Sequence, residues 1–264
     1  SYVNTIGLPF VELQSVESSK NYAMGQVHSG LAKHGIAYFA HQQIAGKGQR
    51  GKSWVTEKKT NIIISVVVQP SNFQLNEQFH LNACMALAIH TFFKSYAGDE
   101  TKIKWPNDIY WRDRKAAGIL IENVVSPLST VQSEGSAING QQAAWKWAVV
   151  GIGININQTT FPDTLKNPVS LKQITGKNYN TVLLAKQLCE SIDIFYKKLL
   201  KGGYEGILET YNENLYKKNE TARLKKDNYV FEATIKGVAD NGQLIVHNKI
   251  EERFNFGEVK WAII

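Results

Sequence analysis

Apolar residues recur at every third or fourth position in three stretches of the chain, which is the spacing of an amphipathic helix. They predict helices over Ser18–His34, Glu77–Ala97 and Thr181–Leu200. Shorter apolar runs bounded by polar or glycine-containing segments predict strands, including Ile36–Ala40 and Asn61–Val68. Because helices and strands share the same part of the chain, we expect an α+β fold.

A different pattern occurs in VVGIGININ, Val149–Asn157, where isoleucine alternates with glycine or asparagine. A period of two predicts a strand with its isoleucines on one face. Gly151 and Gly153 share the other face. Glycine weakens a strand, so glycines at alternate positions indicate that a ligand or another backbone approaches this face closely. A crowded, barrel-like corner is the alternative interpretation.

The sequence changes in character after Asn219. Short strand-like runs then alternate with turn signals, Lys226-Asp227-Asn228 and Asp240-Asn241-Gly242. We therefore expect two domains, residues 1–219 and a small β-barrel of residues 220–264. Earlier in the chain, the Ser-, Gly- and Gln-rich segment Ser126–Gln142 is predicted to be a long hairpin loop.

The segment Gln43–Trp54, QIAGKGQRGKSW, combines three glycines with three cations, Lys47, Arg50 and Lys52. Glycines let a backbone approach a ligand, and exposed N–H groups and cations offset negative charge. The segment matches neither the P-loop nor the dinucleotide fingerprint. It predicts an anion-binding loop, with a solvated basic hairpin loop as the alternative.

A second polar cluster lies in KIKWPNDIYWRDRKAAGILIEN, Lys102–Asn123. Proline fixes its own φ and favours an extended conformation for Trp105, as at the end of a strand. A polar turn and a second apolar strand follow, so Lys104 and Lys115 are predicted to lie near one pocket of a hairpin. The alternative is that both are ordinary surface charges.

Composition and charge agree with a soluble protein but do not select a function. Of the 264 residues, 43% are hydrophobic, and 30 basic against 23 acidic residues give a net charge of +7. This charge favours acidic partners, such as a nucleotide, pyrophosphate or an acidic carrier domain. We expect neither a signal peptide nor a membrane span, and we expect the protein in the cytoplasm.

The cysteines and two of the histidines are predicted to have structural roles. Cys84 and Cys189 lie in helix-like apolar patterns rather than in a CxxC motif, so we expect buried free thiols in a reducing compartment. His80 and His90 are predicted to be polar residues at the edge of a helix rather than metal ligands.

Four motifs together resemble the biotin protein ligases, over nearly the whole chain from about Phe10. They are VESSKNYA at Val16–Ala23, GKGQRGKSW at Gly46–Trp54, KWPND at Lys104–Asp108 with KAAGIL after it, and GIGIN at Gly151–Asn155. The chain departs from the family pattern at four places. Ser19 and Lys20 stand where the family has threonine and asparagine, and Lys47 and Gln49 replace the first two arginines of the loop.

This resemblance implies a two-step acyl transfer that uses ATP and Mg²⁺. The biotin carboxylate attacks the α-phosphorus of ATP to give biotinyl-5'-AMP, and a lysine of a biotin carboxyl carrier protein then attacks the anhydride. The implied fold is a mixed β-sheet catalytic domain with helices packed on it, like that of class II aminoacyl-tRNA synthetases, followed by a C-terminal SH3-like β-barrel.

The resemblance also implies roles for individual residues. The catalytic residues would be Lys104 and Arg50. Biotin would be bound by Ser18, Ser19, Lys20, Gln43, Gly46, Lys47, Gly48, Gln49, Lys104, Gly118 and Gly153. ATP would be bound by Lys47, Gln49, Arg50, Trp54, Asn107, Lys115 and Asn155. Neutral Gln49 in place of arginine is expected to loosen the hold on the adenylate, and Asn107 and Asp108 are expected to position Lys104 or a magnesium-bound water.

Some family members carry an N-terminal helix-turn-helix, and we expect this chain to be a monofunctional ligase without one and without a nucleic-acid partner. A homodimer or carrier docking at an exposed sheet edge is a further hypothesis. Two rival functions remain open. A lipoate ligase would share the catalytic fold, although no RRxxGGG-like motif is present. A nucleic-acid-binding module could use the basic loop, but it would leave the glycine strand unexplained.

Overall fold

A computed structural model describes residues 5–46, 48, 52–54, 56–70, 72–126 and 144–262. Its larger sheet has seven strands in the order β1-β2-β3-β7-β6-β5-β4. The strands are β1 (Phe10–Leu13), β2 (Ala37–Ala40), β3 (Ile62–Val68), β4 (Thr101–Lys104), β5 (Asp108–Trp111), β6 (Arg114–Ser126) and β7 (Ala144–Ile154). The pair β1 and β2 is parallel, and the other pairs are antiparallel. The mixed sheet expected for an α+β fold is therefore confirmed.

The main core lies between this sheet and two long helices, α2 (Gln78–Ala97) and α4 (Thr181–Leu200). Both helices match their predicted ranges to within one residue. Two shorter helices, α3 (Leu171–Thr175) and α5 (Tyr204–Glu213), flank them. The central part of α2 is buried on all sides, because it packs against α4, α5 and the strands β4 and β5.

The opposite face of the sheet is covered only in part, by α1 (Ser19–His28). Ala23 and Val27 of this helix pack against Val67 and Val149 in a second, smaller apolar cluster. The rest of this face, beyond the N-terminal end of α1, is where the glycines of β6 and β7 lie. The candidate site is on this part of the sheet.

The helix α1 is shorter than predicted, since the expected end at His34 is wrong. It ends at His28 with Ser29 as its C-cap, and Gly30 follows with a left-handed φ of 71°. Gly30 therefore turns the chain out of the helix. Leu31, whose spacing suggested a further apolar position, is 65% exposed.

The strand predicted over Val149–Asn157 is present but is shifted along the chain, because β7 ends at Ile154 and begins as early as Ala144. Its isoleucines do face the core. The predicted hairpin loop, Ser126–Gln142, lies outside the described residues except for Ser126, which pairs with Ala144. That pairing makes β6 and β7 the two arms of a hairpin.

The C-terminal residues form a second, five-stranded antiparallel sheet in the order β11-β10-β9-β8-β12. Its strands are β8 (Thr221–Lys226), β9 (Tyr229–Val238), β10 (Leu244–Asn248), β11 (Ile250–Phe254) and β12 (Lys260–Trp261). Both predicted hairpin turns connect neighbouring strands of this sheet. The turn between β9 and β10 contacts the turn between β4 and β5, because the Trp105 indole N–H donates to Gly242 O at 2.9 Å.

Cys84 and Cys189 are buried free thiols, as predicted. The prediction for His90 is wrong, because its side chain is 2% exposed inside the core rather than at the helix edge. Its Nε2 lies 2.9 Å from Thr101 O. Burial lowers the pKa of His90 to about 4. Within the described parts of the chain, no helix is long and apolar enough to cross a membrane.

Candidate functional site

Four of the predicted site residues form one row across the larger sheet. Lys104 pairs with Asp108, Asp108 with Gly118, and Gly118 with Gly153. Directly paired residues point to the same face of a sheet, so all four lie on the face opposite α2. The glycine strand and Lys104, which are about 50 residues apart in sequence, therefore meet on one surface.

The glycines leave room for the indole of Trp54. A Cβ added at Gly153 would lie 2.6 Å from Trp54 Cζ2 and 2.8 Å from Nε1, closer than such atoms can approach. At Gly118, a Cβ would lie 3.2 Å from Trp54 Cζ3. The glycine face is approached closely, as predicted, but by a side chain, Trp54, rather than by the ligand or backbone that was expected.

Trp54 is held over the glycines by the loop that precedes it. Its N–H donates to Gly46 O at 2.9 Å, and the N–H of Gly48 donates to Lys52 O at 2.6 Å. A Cβ at Gly46 would lie 2.5 Å from Trp54 O, so this glycine is required by the folding back of the loop. The predicted site residues Lys47, Gln49 and Arg50 lie outside the described residues.

Ser18 and Ser19 lie at the N-terminal end of α1. They are beside the next row of paired residues on the same face of the sheet, which contains Ser65 and Gly151. Ser18 caps the helix by accepting from Asn21 N–H at 3.3 Å. The hydroxyls of Ser19 and Ser65 are 2.8 Å apart, and Ser65 pairs with Gly151 on the glycine strand. The cap thus fixes the two hydroxyl groups beside the glycine floor, which is the bare surface formed by Gly118, Gly151 and Gly153.

Lys20 and Gln43 complete this end of the site. Gln43 Oε1 accepts from Ser19 N–H at 2.9 Å. Lys20 packs its stem over Gly151, where an added Cβ would lie 3.5 Å from Lys20 Cβ. Its ammonium forms an ion pair with Glu122 of β6, and the Lys20 side chain is only 10% exposed. An ion pair between a buried ammonium and an exposed carboxylate therefore borders the end of the site next to Ser19.

Positive charge is concentrated at the other end of the site. Lys115 Nζ is 2.9 Å from Asp108 Oδ2, and it lies 3.3 Å from where a Cβ of Gly118 would stand. Lys104 is 7% exposed, and its Nζ donates to Tyr110 OH at 3.2 Å. Burial lowers the pKa of Lys104 to about 8; the Asp108 carboxylate opposes this shift, and nearby Lys115 adds to it. Two lysines facing one carboxylate leave net positive charge for an anionic ligand.

The two predicted asparagines are buried beside the site. Asn107 Nδ2 donates to Asn82 Oδ1 of α2 at 3.1 Å. Asn155 Nδ2 donates to Lys115 O at 3.4 Å, and its backbone N–H donates to Ala116 O. Asn155 thus ties the end of β7 to the segment that carries Lys115.

Sequence reasoning missed three residues that shape the site: Ser65, Tyr110 and Glu122. Ser65 could have been found, because it is the one polar residue inside the apolar run IIISVVV. Tyr110 shares the face of Asp108, two positions earlier in β5. Glu122 carried no comparable signal, since its role depends on pairing with Lys20, 102 residues away.

Comparisons with known proteins agree with this geometry. The model of the biotin/lipoate A/B protein ligase family matches residues 12–139, just under half of the chain. The bifunctional ligase/repressor BirA of Bacillus spizizenii is 26% identical over 239 residues, covering 89% of this chain and 69% of the relative. The biotin–[acetyl-CoA-carboxylase] ligase of Paracoccus denitrificans is 26% identical over 215 residues, covering 78% of this chain and 82% of that protein.

A solved structure has the same fold. The biotin protein ligase from Aquifex aeolicus in complex with biotin and ATP superposes with a TM-score of 0.76 at 20% identity, covering 96% of this chain and 98% of that one. The motifs and the row of site residues agree with this match: residues 12–139 are similar to the biotin/lipoate A/B protein ligase family, and the chain shares the fold of a biotin protein ligase.

Proposed function

We propose that the protein is a biotin protein ligase, which activates biotin with ATP and transfers it to a lysine of a biotin carboxyl carrier protein. The observation that carries this proposal is the row Lys104, Asp108, Gly118 and Gly153. It joins a flat glycine floor to a buried cation on one face of the sheet. The relatives from Paracoccus denitrificans and Aquifex aeolicus, which are named for biotin ligation, support the choice of substrate.

The first step needs a pocket that binds a rigid polar ring at one end and a carboxylate at the other. Ser18, Ser19 and Gln43 supply hydrogen-bonding groups for the ureido ring, and the glycines give a bare floor for the apolar bicycle. The valerate carboxylate then points toward Lys104. Its oxygen attacks the α-phosphorus of ATP, an anhydride forms, and pyrophosphate leaves.

Catalysis of this step is mainly electrostatic, because two anions must be brought together. A fixed cation at the reacting oxygens stabilises the charge that develops on them. Lys104 and Arg50 are proposed for this role, and Lys47, Gln49 and Lys115 for binding the phosphates. Trp54 would offer a surface for the purine or the adenylate, and its movement off Gly153 would open the floor to ligand.

Mg²⁺ is proposed to enter with the nucleotide. This cation is commonly held by one or two protein carboxylates together with substrate phosphates. Asp108 lies on the same face, and its Oδ2 is 2.9 Å from Lys115 Nζ, so this ion-paired carboxylate is proposed to orient Lys104 or a magnesium-bound water rather than to ligate the metal. The metal would neutralise phosphate charge during attack by the carboxylate.

In the second step, the neutral amine of the acceptor lysine attacks the acyl carbon of biotinyl-5'-AMP. An amide bond forms, AMP leaves, and the nitrogen loses a proton. The acceptor is proposed to be the carrier domain of a biotin-dependent carboxylase, and the enzyme is proposed to work in the cytoplasm. Exclusion of water by the Gln43–Trp54 loop would protect the anhydride from hydrolysis.

The chain is also proposed to have two domains. The catalytic domain would comprise residues 1–219, and residues 220–264 would form an SH3-like barrel. The continuous antiparallel order β11-β10-β9-β8-β12 supports this assignment. The edge strand β1 is proposed as the place where a second copy or the carrier could add a strand.

The direct test is the exchange of labelled pyrophosphate into ATP, with biotin or lipoate as the acid. Biotin-dependent exchange is expected, with little or none in the presence of lipoate. Lys104→Ala should reduce exchange by roughly 100-fold to 1000-fold. Exchange that depends on lipoate would identify the protein as a lipoate ligase instead. Salt-sensitive binding of single-stranded nucleic acid without any exchange would exclude a ligase.

A further inference from the structure

The ammonium of Lys104 lies among three aromatic rings. Its Nζ is 4.3 Å from the ring centroid of Tyr110, 5.0 Å from that of Trp261 and 5.5 Å from that of Tyr216. Tyr110 comes from the neighbouring strand β5, and Tyr216 follows α5. Trp261 comes from β12 of the C-terminal sheet, 157 residues away from Lys104 in the chain.

The rings of this aromatic cage (Tyr110, Tyr216 and Trp261) hold one another in place. The ring centroids of Tyr110 and Tyr216 are 5.2 Å apart, and those of Tyr216 and Trp261 are 5.7 Å apart. Tyr216 OH donates to Asp113 Oδ1, and the Trp261 indole N–H donates to Trp105 O at 3.3 Å. Contacts from both sheets therefore fix the cage.

This environment holds the ammonium without neutralising it. The rings attract a cation through their π faces, and the Tyr110 hydroxyl accepts one hydrogen bond from it. Among the residues that the structure describes, no carboxylate forms a salt bridge with Lys104, whereas Lys115 is paired with Asp108. An ammonium held in this way keeps its charge available for an incoming anion.

We propose that Trp261 and Tyr216 are positioning residues, through which the C-terminal sheet holds the Lys104 ammonium dry and directs it at the reacting carboxylate and α-phosphate. This inference rests on the proposed ligase function. It gives the second sheet a part in the chemistry of the first step, although its residues make no contact with the reacting atoms themselves.

The charged groups around Lys104 make a specific pH effect measurable. They are Asp108 of β5, Lys115 of β6, Asp113 of the turn between β5 and β6, and Lys217 after α5. Burial is the largest cause of the low Lys104 pKa, so opening the cage to water raises that pKa from about 8 toward its ordinary value. A change elsewhere in the C-terminal sheet leaves it unchanged.

The test compares Trp261→Leu with Trp261→Phe in the full-length protein. Pyrophosphate exchange is measured from pH 6.5 to 9.5 at biotin and ATP concentrations far below saturation, where the pH profile reports the ionisation of the free enzyme. For the wild type, the rate is expected to fall as the pH rises through about 8, because Lys104 loses its proton. Trp261→Leu is expected to lower the rate at pH 7.5 by about 10-fold. It is also expected to move the alkaline limb of the profile, which is the fall in rate at high pH, to a higher pH. Trp261→Phe keeps a ring and is expected to stay close to the wild type.

Trp111→Leu serves as the matched control. Trp111 lies on β5 next to Tyr110 but points to the other side, where its indole N–H donates to Ala97 O at 3.3 Å. This variant is expected to lower stability without moving the alkaline limb. A limb that stays at the wild-type pH in Trp261→Leu would overturn the positioning role, whatever happens to the rate.

The Lys104 side chain can also be followed without any turnover. NMR titration of its ¹³Cε signal, assigned by the peak missing in Lys104→Arg, reports its pKa directly. A higher pKa in Trp261→Leu, and not in Trp111→Leu, supports the cage, and an equal pKa contradicts it. If the wild type shows no biotin-dependent exchange, the proposed function fails, and this titration still decides whether Trp261 controls Lys104.

Discussion

The indole of Trp54 lies so close to Gly153 that the two residues exclude any side chain at position 153. An added Cβ would lie 2.6 Å from Trp54 Cζ2, whereas a Cβ at Gly151, two residues earlier, would make only ordinary contacts at 3.5 Å or more. The two glycines of the same strand therefore have different reasons for being glycine. Gly153 leaves room for a ring, and Gly151 faces the stem of Lys20.

This difference predicts a coupling between two substitutions. Gly153→Ala should lower the free energy of unfolding by about 1–3 kcal/mol, because the alanine methyl group overlaps the indole. In a Trp54→Ala background the same change should cost much less. Gly151→Ala is the matched control and should show no coupling to Trp54. Denaturant unfolding of the four variants in each cycle measures this, and equal coupling for both glycines would contradict it.

The ion pair of Lys20 and Glu122 predicts unequal effects of removing either partner. The Lys20 side chain is 10% exposed and that of Glu122 is 45% exposed. Glu122→Gln leaves a buried ammonium without its counter-charge and should cost about 1–3 kcal/mol of stability. Lys20→Met keeps the stem over Gly151 and leaves a carboxylate that water can reach, so it should cost less than about 1 kcal/mol. Unfolding curves that rank the two variants in the reverse order would refute this account.

Lys104 is expected to reduce stability at neutral pH while serving catalysis. Its pKa in the folded protein is lowered to about 8 from 10.5. Between these pH values the unfolded chain binds the proton and the folded protein does not, so stability rises with pH across this window. Lys104→Met should therefore be more stable than the wild type at pH 7, by about 1–3 kcal/mol, while losing activity.

The advantage of Lys104→Met should shrink as the pH rises from 8 to about 10. Measuring the difference in unfolding free energy between the two proteins cancels the titration of the buried tyrosines, which both contain. A difference that stays constant from pH 7 to 10 would show that the burial of Lys104 carries no such cost.

His90 predicts a loss of stability in acid. Its pKa in the folded state is lowered from 6.5 to about 4, mainly by burial. Below pH 6.5 the unfolded chain takes up a proton that the folded protein excludes, so stability falls as the pH is lowered toward 4. The loss should reach about 2–3 kcal/mol. His90→Gln, which keeps a donor for Thr101 O, should lose less over the same range in a pH series of denaturant titrations.

Features encoded by local patterns could be predicted from the sequence. The period of two in VVGIGININ predicted the glycine face, and the apolar run Asn61–Val68 predicted a buried strand. Both predictions were possible because the periodicity of a strand or helix is visible within a single segment. The motif KWPND placed Lys104 at the end of a strand. In each case the pattern that carries the prediction lies within a few consecutive residues.

Features that depend on distant parts of the chain could not be predicted. The Trp261 ring contacts Lys104 across 157 residues, and the Ser19 hydroxyl meets Ser65 across 46. No periodicity in one segment reports on the other. The early end of α1 has a different cause, since the left-handed Gly30 overrides an apolar spacing that continues to Leu31.

The central claim is that Lys104 and the glycine floor form one site in which a carboxylate is joined to the α-phosphate of ATP. The most direct measurement is the formation of labelled biotinyl-5'-AMP from biotin and ATP labelled at the α-phosphate, with no acceptor protein present. The wild type is predicted to form the labelled adenylate, and Lys104→Met is predicted to form it roughly 100-fold to 1000-fold more slowly. No labelled adenylate from the wild type, or an equal rate from Lys104→Met, would contradict the account.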